Sequence, residues 1–442
     1  MPERPNLSET SPAIASRHAA LDILAAVLDR KRPLEEAFDE ALSGSGLAPR
    51  DRAFTRLLAA TVIRRLGQID DALSGMVDRP LPLRPPALMN LLRLGAAQLL
   101  FLQTPPHAAV ATAVDLADAA GLGRGKGMVN AVLRRLSREG EAIVAAQDAP
   151  PLNTPPWLRA RWAKSYGEPT ARAIAAAHLG EPPLDITLKP GEDAQAWAEK
   201  LEATLLPTGT LRRPVGGRIE ELPGFADGAW WIQDAAAALP VRLFGDVGGK
   251  IVYDLCAAPG GKTAQLAAAG ADVTAIDRSP VRLQLVDRNL DRLRLQAATI
   301  AADALAWEPR NGPADAVLLD APCTATGTIR RHPDVALSKN ADDLGKLTRL
   351  QSALLDRAAA HVNPGGLLVY CTCSLEPEEG ESQIAQFLAR QPAFARQPVV
   401  PAEIGGLTEI VTREGDIRTL PSHLAAQGSL DGFFVARMRR KA

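Results

Sequence analysis

Apolar residues recur three and four positions apart through the first third of the chain: Leu21, Leu24, Ala25 and Leu28, then Phe54, Leu57, Leu58, Thr61 and Val62. Leu88, Leu91, Leu92, Gly95 and Leu99 repeat the pattern, as do Val110, Ala113, Val114 and Ala117. This spacing places each set on one face of a helix. Proline and glycine clusters (Pro80-Leu81-Pro82, Pro85-Pro86, Pro105-Pro106, Gly121 to Gly127) mark where helices stop. Residues 16–139 therefore read as helices throughout, within an all-helical domain over 1–147. The run from Gly121 to Gly127 joins two helices and follows no strand, so it reads as a basic, flexible loop and not as a dinucleotide-binding turn.

The proline-rich segment from Asp148 to Pro156 reads as a linker, and Trp157-Leu158 opens a new unit. A helix over 159–178, a strand over 184–188 and a helix over 194–205 make residues 148–230 a small α+β connector. The period then changes. Residues 231–442 alternate short β-rich apolar runs (251–255, 272–276, 298–302, 316–319, 367–371) with helical stretches (263–269, one opened by Ser279-Pro280, and 341–362). Such alternation predicts an α/β domain with a parallel sheet and helices on both faces. Ligands of such sheets bind beyond the carboxyl ends of the strands.

At 442 residues and 46% hydrophobic content, the chain has material for two or three domains. Residues 1–16 are polar with no apolar signal core, and no apolar stretch reaches about 18 residues, so a cytoplasmic protein with no membrane segment is expected. All four cysteines (Cys256, Cys323, Cys371, Cys373) lie in the second half without the spacing of a metal site, which predicts free thiols and no metal. The net charge of −1 lacks the basic excess common in nucleic-acid-binding proteins. Any such contact must come from local patches: Arg30-Lys31-Arg32, Arg64-Arg65, Arg134-Arg135 with Arg138, Arg212-Arg213, Arg330-Arg331-His332 or Arg437-Arg439-Arg440-Lys441. Arginine pairs on a solvated face are ordinary; Arg330-Arg331-His332 stands apart because it directly follows a cysteine motif.

The segment from Asp254 through Cys256-Ala257-Ala258-Pro259-Gly260-Gly261-Lys262 to Thr263 leaves the first strand of this region and opens a helix. Small residues there let a ligand approach the backbone, and the helix amino terminus offers free N–H groups. A phosphate-binding P-loop would need glycine at position 256, which is cysteine. Asp277 ends the second strand, where an acid takes ribose hydroxyls or simply caps a helix; Asp303 follows the third. Asp320-Ala321-Pro322-Cys323 closes the fourth strand and Thr372-Cys373-Ser374 the fifth, so adjacent strand ends bring two thiols to one mouth. Cys371 points to the other sheet face and reads as a buried, inert thiol.

These motifs resemble those of the NOL1/NOP2/Sun family of S-adenosylmethionine-dependent RNA cytosine-C5 methyltransferases. The resemblance covers nearly the whole chain. The amino-terminal helices, including Val129-Asn130-Ala131-Val132-Leu133-Arg134, resemble a NusB-like RNA-binding domain, and Asp431-Gly432-Phe433-Phe434-Val435-Ala436 fits the family's last strand. It implies a Rossmann-like class I fold, S-adenosyl-L-methionine as cofactor, and 16S rRNA as substrate of a monomeric enzyme. Transfer RNA, or an RNA-binding module with a vestigial methyltransferase domain, are the alternatives. It further implies that Cys256, Ala257, Ala258, Pro259, Gly260, Gly261, Lys262, Asp277, Asp303 and Asp320 surround the cofactor. Cys373 would be the nucleophile, with Cys323, Asp320 and Lys262 completing the catalytic set.

Overall fold

Proline at the first or second helical position starts most of the amino-terminal helices, as its fixed φ and missing N–H allow. The computed structural model describes residues 11–77 and 83–442, so the expected breaks at Pro80-Leu81-Pro82 and most of the polar segment 1–16 lie outside the described residues. The chain divides into two compact units, one holding residues up to Leu179 together with His332–Lys339, the other Gly180–Arg331 and Asn340–Ala442.

The first unit is helical, as predicted: Pro12–Leu24, Leu34–Leu42, Pro49–Arg64, Leu66–Ser74, Pro86–Leu100, Pro106–Ala119 and Lys126–Ala146 pack around one core. Leu24, Leu58, Val62, Leu91, Leu92 and Leu133 have no exposed surface there. Three expectations change. The run Gly121 to Gly127 is not an open loop, because Gly123–Gly125 form a 3-10 turn and a helix begins at Lys126. The expected linker contains the helix Ala149–Leu152 and is tied down where Gln68 N donates to Asn153 Oδ1 at 3.2 Å. The expected helix over 159–178 is two, Pro156–Tyr166 and Glu168–Ala177, broken at Gly167 (φ 82°).

His332–Lys339 belongs to this unit although it interrupts the α/β alternation. Leu34 N donates to Asp334 Oδ2 at 3.0 Å, and Leu337 packs against the helical core.

The second unit holds two sheets. The strands Leu184–Leu188 (β1), Thr204–Leu205 (β2), Leu211–Arg213 (β3) and Trp230–Ile232 (β4) form an antiparallel sheet in the order β2-β3-β1-β4. The helix predicted over 194–205 stops at Lys200, since its carboxyl-terminal residues join β2. The larger sheet contains Ile251–Leu255 (β5), Asp272–Asp277 (β6), Ala298–Ala301 (β7), Ala314–Asp320 (β8), Val362–Thr372 (β9), Phe394–Arg396 (β10), Ile417–Thr419 (β11) and Phe433–Arg440 (β12). Its order is β10-β12-β9-β8-β5-β6-β7, with β11 paired to β12. The predicted parallel pairing holds from β9 to β7, whereas β12 runs antiparallel to β9, β10 and β11. Antiparallel neighbours need no crossover helix, and the chain between β10 and β12 carries β11 and short 3-10 turns but no α-helix. As anticipated, Ser279 caps the helix Pro280–Leu293, accepting from Arg282 N.

Several arginines proposed as surface patches are internal. Arg330 is 2% exposed and ion-paired to Asp234 (2.6 Å) and Asp431 (3.2 Å). Arg212 pairs with Asp185 at 2.6 Å and Arg437 with Glu403 at 2.6 Å. Arg212 lies on β3 and Arg437 on β12, and a strand sends alternate side chains to opposite faces, so one arginine of each of these runs enters the packed layer and takes an acid as partner; Arg330 lies on a turn. Arg134, Arg135 and Arg138 remain exposed on the helix Lys126–Ala146. Among the described residues, no helix is long and apolar enough to cross a membrane.

Candidate active site

The carboxyl ends of β5, β6, β8 and β9 bring the predicted residues together. After β5 the chain turns through Cys256 (φ 62°) to Gly260 (φ 100°), and the helix Gly261–Ala268 begins. Glycine is required at position 260: its φ is left-handed, and a Cβ there would lie 2.9 Å from Val286. Asp277, at the end of β6, braces this turn. Its Oδ2 accepts from Ala258 N at 3.1 Å and its Oδ1 from Ser279 N at 2.9 Å. The structure thus shows this acid as a local brace, and each of its carboxylate oxygens keeps lone-pair capacity beyond its backbone bond. Asp303 is exposed beyond β7 and accepts from Leu305 N at 2.9 Å.

Burial pushes the Cys256 thiol up to about 12, a position unsuited to nucleophilic chemistry. Asp254 went unremarked in the sequence except as the start of the turn. It is fully buried, accepts from Thr263 Oγ1 at 2.6 Å, and burial pushes its carboxyl up to about 7. Its Oδ1 has no hydrogen-bond partner among the described residues.

Parallel pairing of Asp320 with Cys371 sets β8 beside β9 in the register that carries both cysteine turns. Cys323 Sγ lies 3.5 Å from Cys373 Sγ. The Lys262 ammonium reaches back from the first turn of its helix to Asp320 Oδ2 at 2.7 Å and sits 5.0 Å above the Phe433 ring. Burial opposes the charge on Lys262, yet Asp320 and the thiols of Cys371 and Cys373 hold its pKa above the ordinary lysine value. The Cys323 thiol is held well above its usual range by the hydrogen bond to Cys373, by burial, and by the charges of Cys373 and Glu379. Cys371 is buried as expected, but its sulfur lies 3.4 Å from Asp320 Oδ1 and so borders the site.

A cavity of about 500 Å³ opens over this cluster. Ala257, Pro259, Gly260, Gly261, Lys262, Asp320 and Cys373 line it; Cys256, Ala258, Asp277, Asp303 and Cys323 stand outside its wall. Sequence reasoning missed several of its walls, namely Trp231, Gln233, Thr328 and Phe433, although Phe433 lies in the matched last-strand motif. Arg331 is the member of the arginine run that faces the cavity, with its guanidinium held by Asp431 at 2.6 Å. Gly327 lets the loop after Cys323 lie against the last strand's entry: a Cβ there would fall 1.8 Å from Gly432 O.

Comparison with known proteins follows the same division. Residues 245–439 match the family model described as 16S rRNA methyltransferase RsmB/F, and residues 14–138 match the NusB family. A protein of Xanthomonas campestris named ribosomal RNA small subunit methyltransferase B is 39% identical over 409 residues, covering 89% of this chain and 92% of the relative. The chain belongs to the ribosomal RNA small subunit methyltransferase B family. Its namesake in Pseudomonas putida is 36% identical over 440 residues, 96% of this chain and 98% of that protein. The resemblance read from the cysteine and glycine motifs, and the NusB-like reading of the helices, are both borne out. The fold agrees with the crystal structure of PH0851, at a TM-score of 0.78 over 98% of this chain and 99% of that one, with 23% identity. A methyltransferase homolog from Pyrococcus horikoshii, 29% identical, matches with a TM-score of 0.53 over 64% of this chain and 93% of its own. Within the RsmB/F match fall Lys262, Asp320, Cys323 and Cys373, and also the segment His332–Lys339 that packs with the helices.

Proposed function

We propose that this chain transfers a methyl group from S-adenosyl-L-methionine to carbon 5 of a cytosine in 16S rRNA, through a covalent bond between Cys373 and carbon 6. The observation that carries this reading is Cys373 on the cavity wall with the Lys262–Asp320 ion pair, its sulfur 3.5 Å from the Cys323 thiol.

The residues present suit the cofactor. The turn Ala257-Ala258-Pro259-Gly260-Gly261 keeps side-chain bulk away from a helix amino terminus, Asp254 Oδ1 is an unsatisfied buried acceptor, and Asp277 retains acceptor capacity. Asp277 would hold the ribose and Asp303 the outer end of the adenosine. When bound, the sulfonium supplies an electrophilic methyl. Carbon 5 of cytosine is too weak a nucleophile to take it unaided, so the Cys373 thiolate first adds to carbon 6 and makes carbon 5 enamine-like. Asp320, oriented by Lys262, would bond the N3/N4 edge of the ring and stabilise the charge that develops there. Transfer of the carbon 5 proton to solvent water then leaves its electron pair in the restored C5–C6 double bond and breaks the sulfur–carbon 6 bond with its pair returning to Cys373, a release that Cys323 assists from 3.5 Å. The base must leave its stack to be reached this way.

The helical unit would capture RNA through phosphate contacts from Arg134 and Arg138, in the cytoplasm where the rRNA is made.

Two measurements test this. RNA carrying 5-tritiated cytosine is expected to lose tritium in step with methylation; methylation of 16S rRNA without tritium release overturns the carbon 5 assignment, and preference for transfer RNA moves the substrate. Asp277→Ala removes a charge-assisted bond worth roughly 1.5–3 kcal/mol. Affinity for S-adenosylhomocysteine in a calorimetric titration should therefore fall by about one to two orders of magnitude. An unchanged dissociation constant removes Asp277 from the ribose.

A further inference from the structure

Glu379 lies on the turn Pro377–Glu379, beyond Cys373, and is fully buried. Among the described residues no lysine or arginine pairs with it; neutral donors satisfy its carboxylate instead. Thr324 N approaches its two oxygens at 3.0 and 3.2 Å, and the Thr324 hydroxyl also donates to it. Ser374 Oγ donates at 2.6 Å and Gln351 Nε2 at 2.8 Å.

The identity of these donors matters. Thr324 follows Cys323, Ser374 follows Cys373, and Gln351 Nε2 also reaches Pro322 O, immediately before Cys323, at 3.0 Å. On the strand side, the Glu379 carbonyl accepts from Thr372 Oγ1 at 3.3 Å and from Tyr370 Oη at 2.8 Å. One buried acid therefore ties the residues on both sides of each cysteine, directly or through Gln351. A buried carboxylate is stable only if its lone pairs are filled, so this set of bonds resists partial loosening. A glutamine would put two N–H donors where one oxygen now accepts, and the Thr324 amide cannot turn away to accommodate them.

We propose that Glu379 is a positioning residue for the reaction: by tying the two cysteine turns to a single buried carboxylate it fixes the 3.5 Å Sγ–Sγ contact through the covalent cycle. This rests on the roles given above to Cys373 and Cys323. The charge of Glu379 acts in the same direction, since it is among the influences that keep the proton on Cys323.

The test uses the full chain with Glu379→Gln, and separately with Thr324→Val combined with Ser374→Ala, which leaves the acid and its backbone bond from residue 324 but removes the hydroxyl tie to each turn. Five quantities are measured: affinity for S-adenosylhomocysteine, kcat and KM for RNA, the fraction of enzyme trapped as a denaturant-resistant RNA adduct, and the rate at which diamide closes a Cys323–Cys373 disulfide. That closure requires the sulfurs to approach to about 2.05 Å, so its rate reads their spacing without any RNA. A misplacement on the order of 1 Å lowers rate by about a hundredfold. Both variants are expected to lose kcat to that extent, with KM and cofactor affinity unchanged, more adduct than the native enzyme, and slower disulfide closure. Parallel loss of cofactor affinity and kcat, or unchanged closure and kcat, overturns the proposal. Slower closure in a protein whose native form makes no adduct with RNA supports the positioning and overturns the reading of the cysteine roles instead.

Discussion

Cys373→Ala is expected to abolish both methylation and the covalent RNA adduct, whereas Cys323→Ala is expected to form the adduct and fail to release it. Removing a nucleophile that acts in concert with its neighbours lowers turnover by roughly 10⁴-fold or more. The asymmetry follows from position. Cys373 lines the cavity with Lys262 and Asp320, while Cys323 is outside its lining with its sulfur 3.5 Å from that of Cys373. Denaturing gels of each variant with target RNA separate the outcomes. An adduct with Cys373→Ala and none with Cys323→Ala reverses the roles.

Lys262→Met is expected to reduce single-turnover methylation by about 10²–10³-fold, the usual loss when one preorganised electrostatic partner is removed. Methionine preserves much of the side chain's length and apolar body but leaves Asp320 without its partner at 2.7 Å. The Asp320 left without its partner is 30% exposed and partly solvated, so the fold is destabilised by only about 1–3 kcal/mol. The double variant with Asp320→Asn separates the two effects. Stability should recover, because no charge is stranded, while methylation should not. Recovery of both would reduce the pair to a structural role, and a single variant within a few-fold of native rate would remove Lys262 from the chemistry.

The order of elements was legible because hydrophobic periods of 3.6 and 2 change where the fold changes. Ser279-Pro280 marked a helix start, and the small residues after β5 a turn opening a helix, through rules that act within a few residues. The cysteine turns were placed correctly because parallel neighbours in such a sheet present their carboxyl ends together. Errors came where distant residues decide. The segment Asp148 to Pro156 reads as a linker from its prolines, yet Gln68 and Asn153 bond it to the helical core. The arginine run at 330–331 reads as one basic patch, although Asp234 and Asp431, far apart in sequence, bury one member and leave the other facing the cavity.

Short-range chemistry in the chain sufficed for the helices, the strand ends, the glycine turn and the residue types of the site, since each depends on neighbours within one or two turns. Tertiary structure alone decided which of two thiols lines the cavity, that Lys262 meets Asp320, and that Glu379 joins both cysteine turns. It also decided that His332–Lys339 leaves the α/β unit for the helical one. Residue type reveals what a buried charge can do; only packing supplies its partner, because a carboxylate or ammonium is stable inside a protein only where the fold brings donors or an opposite charge to it.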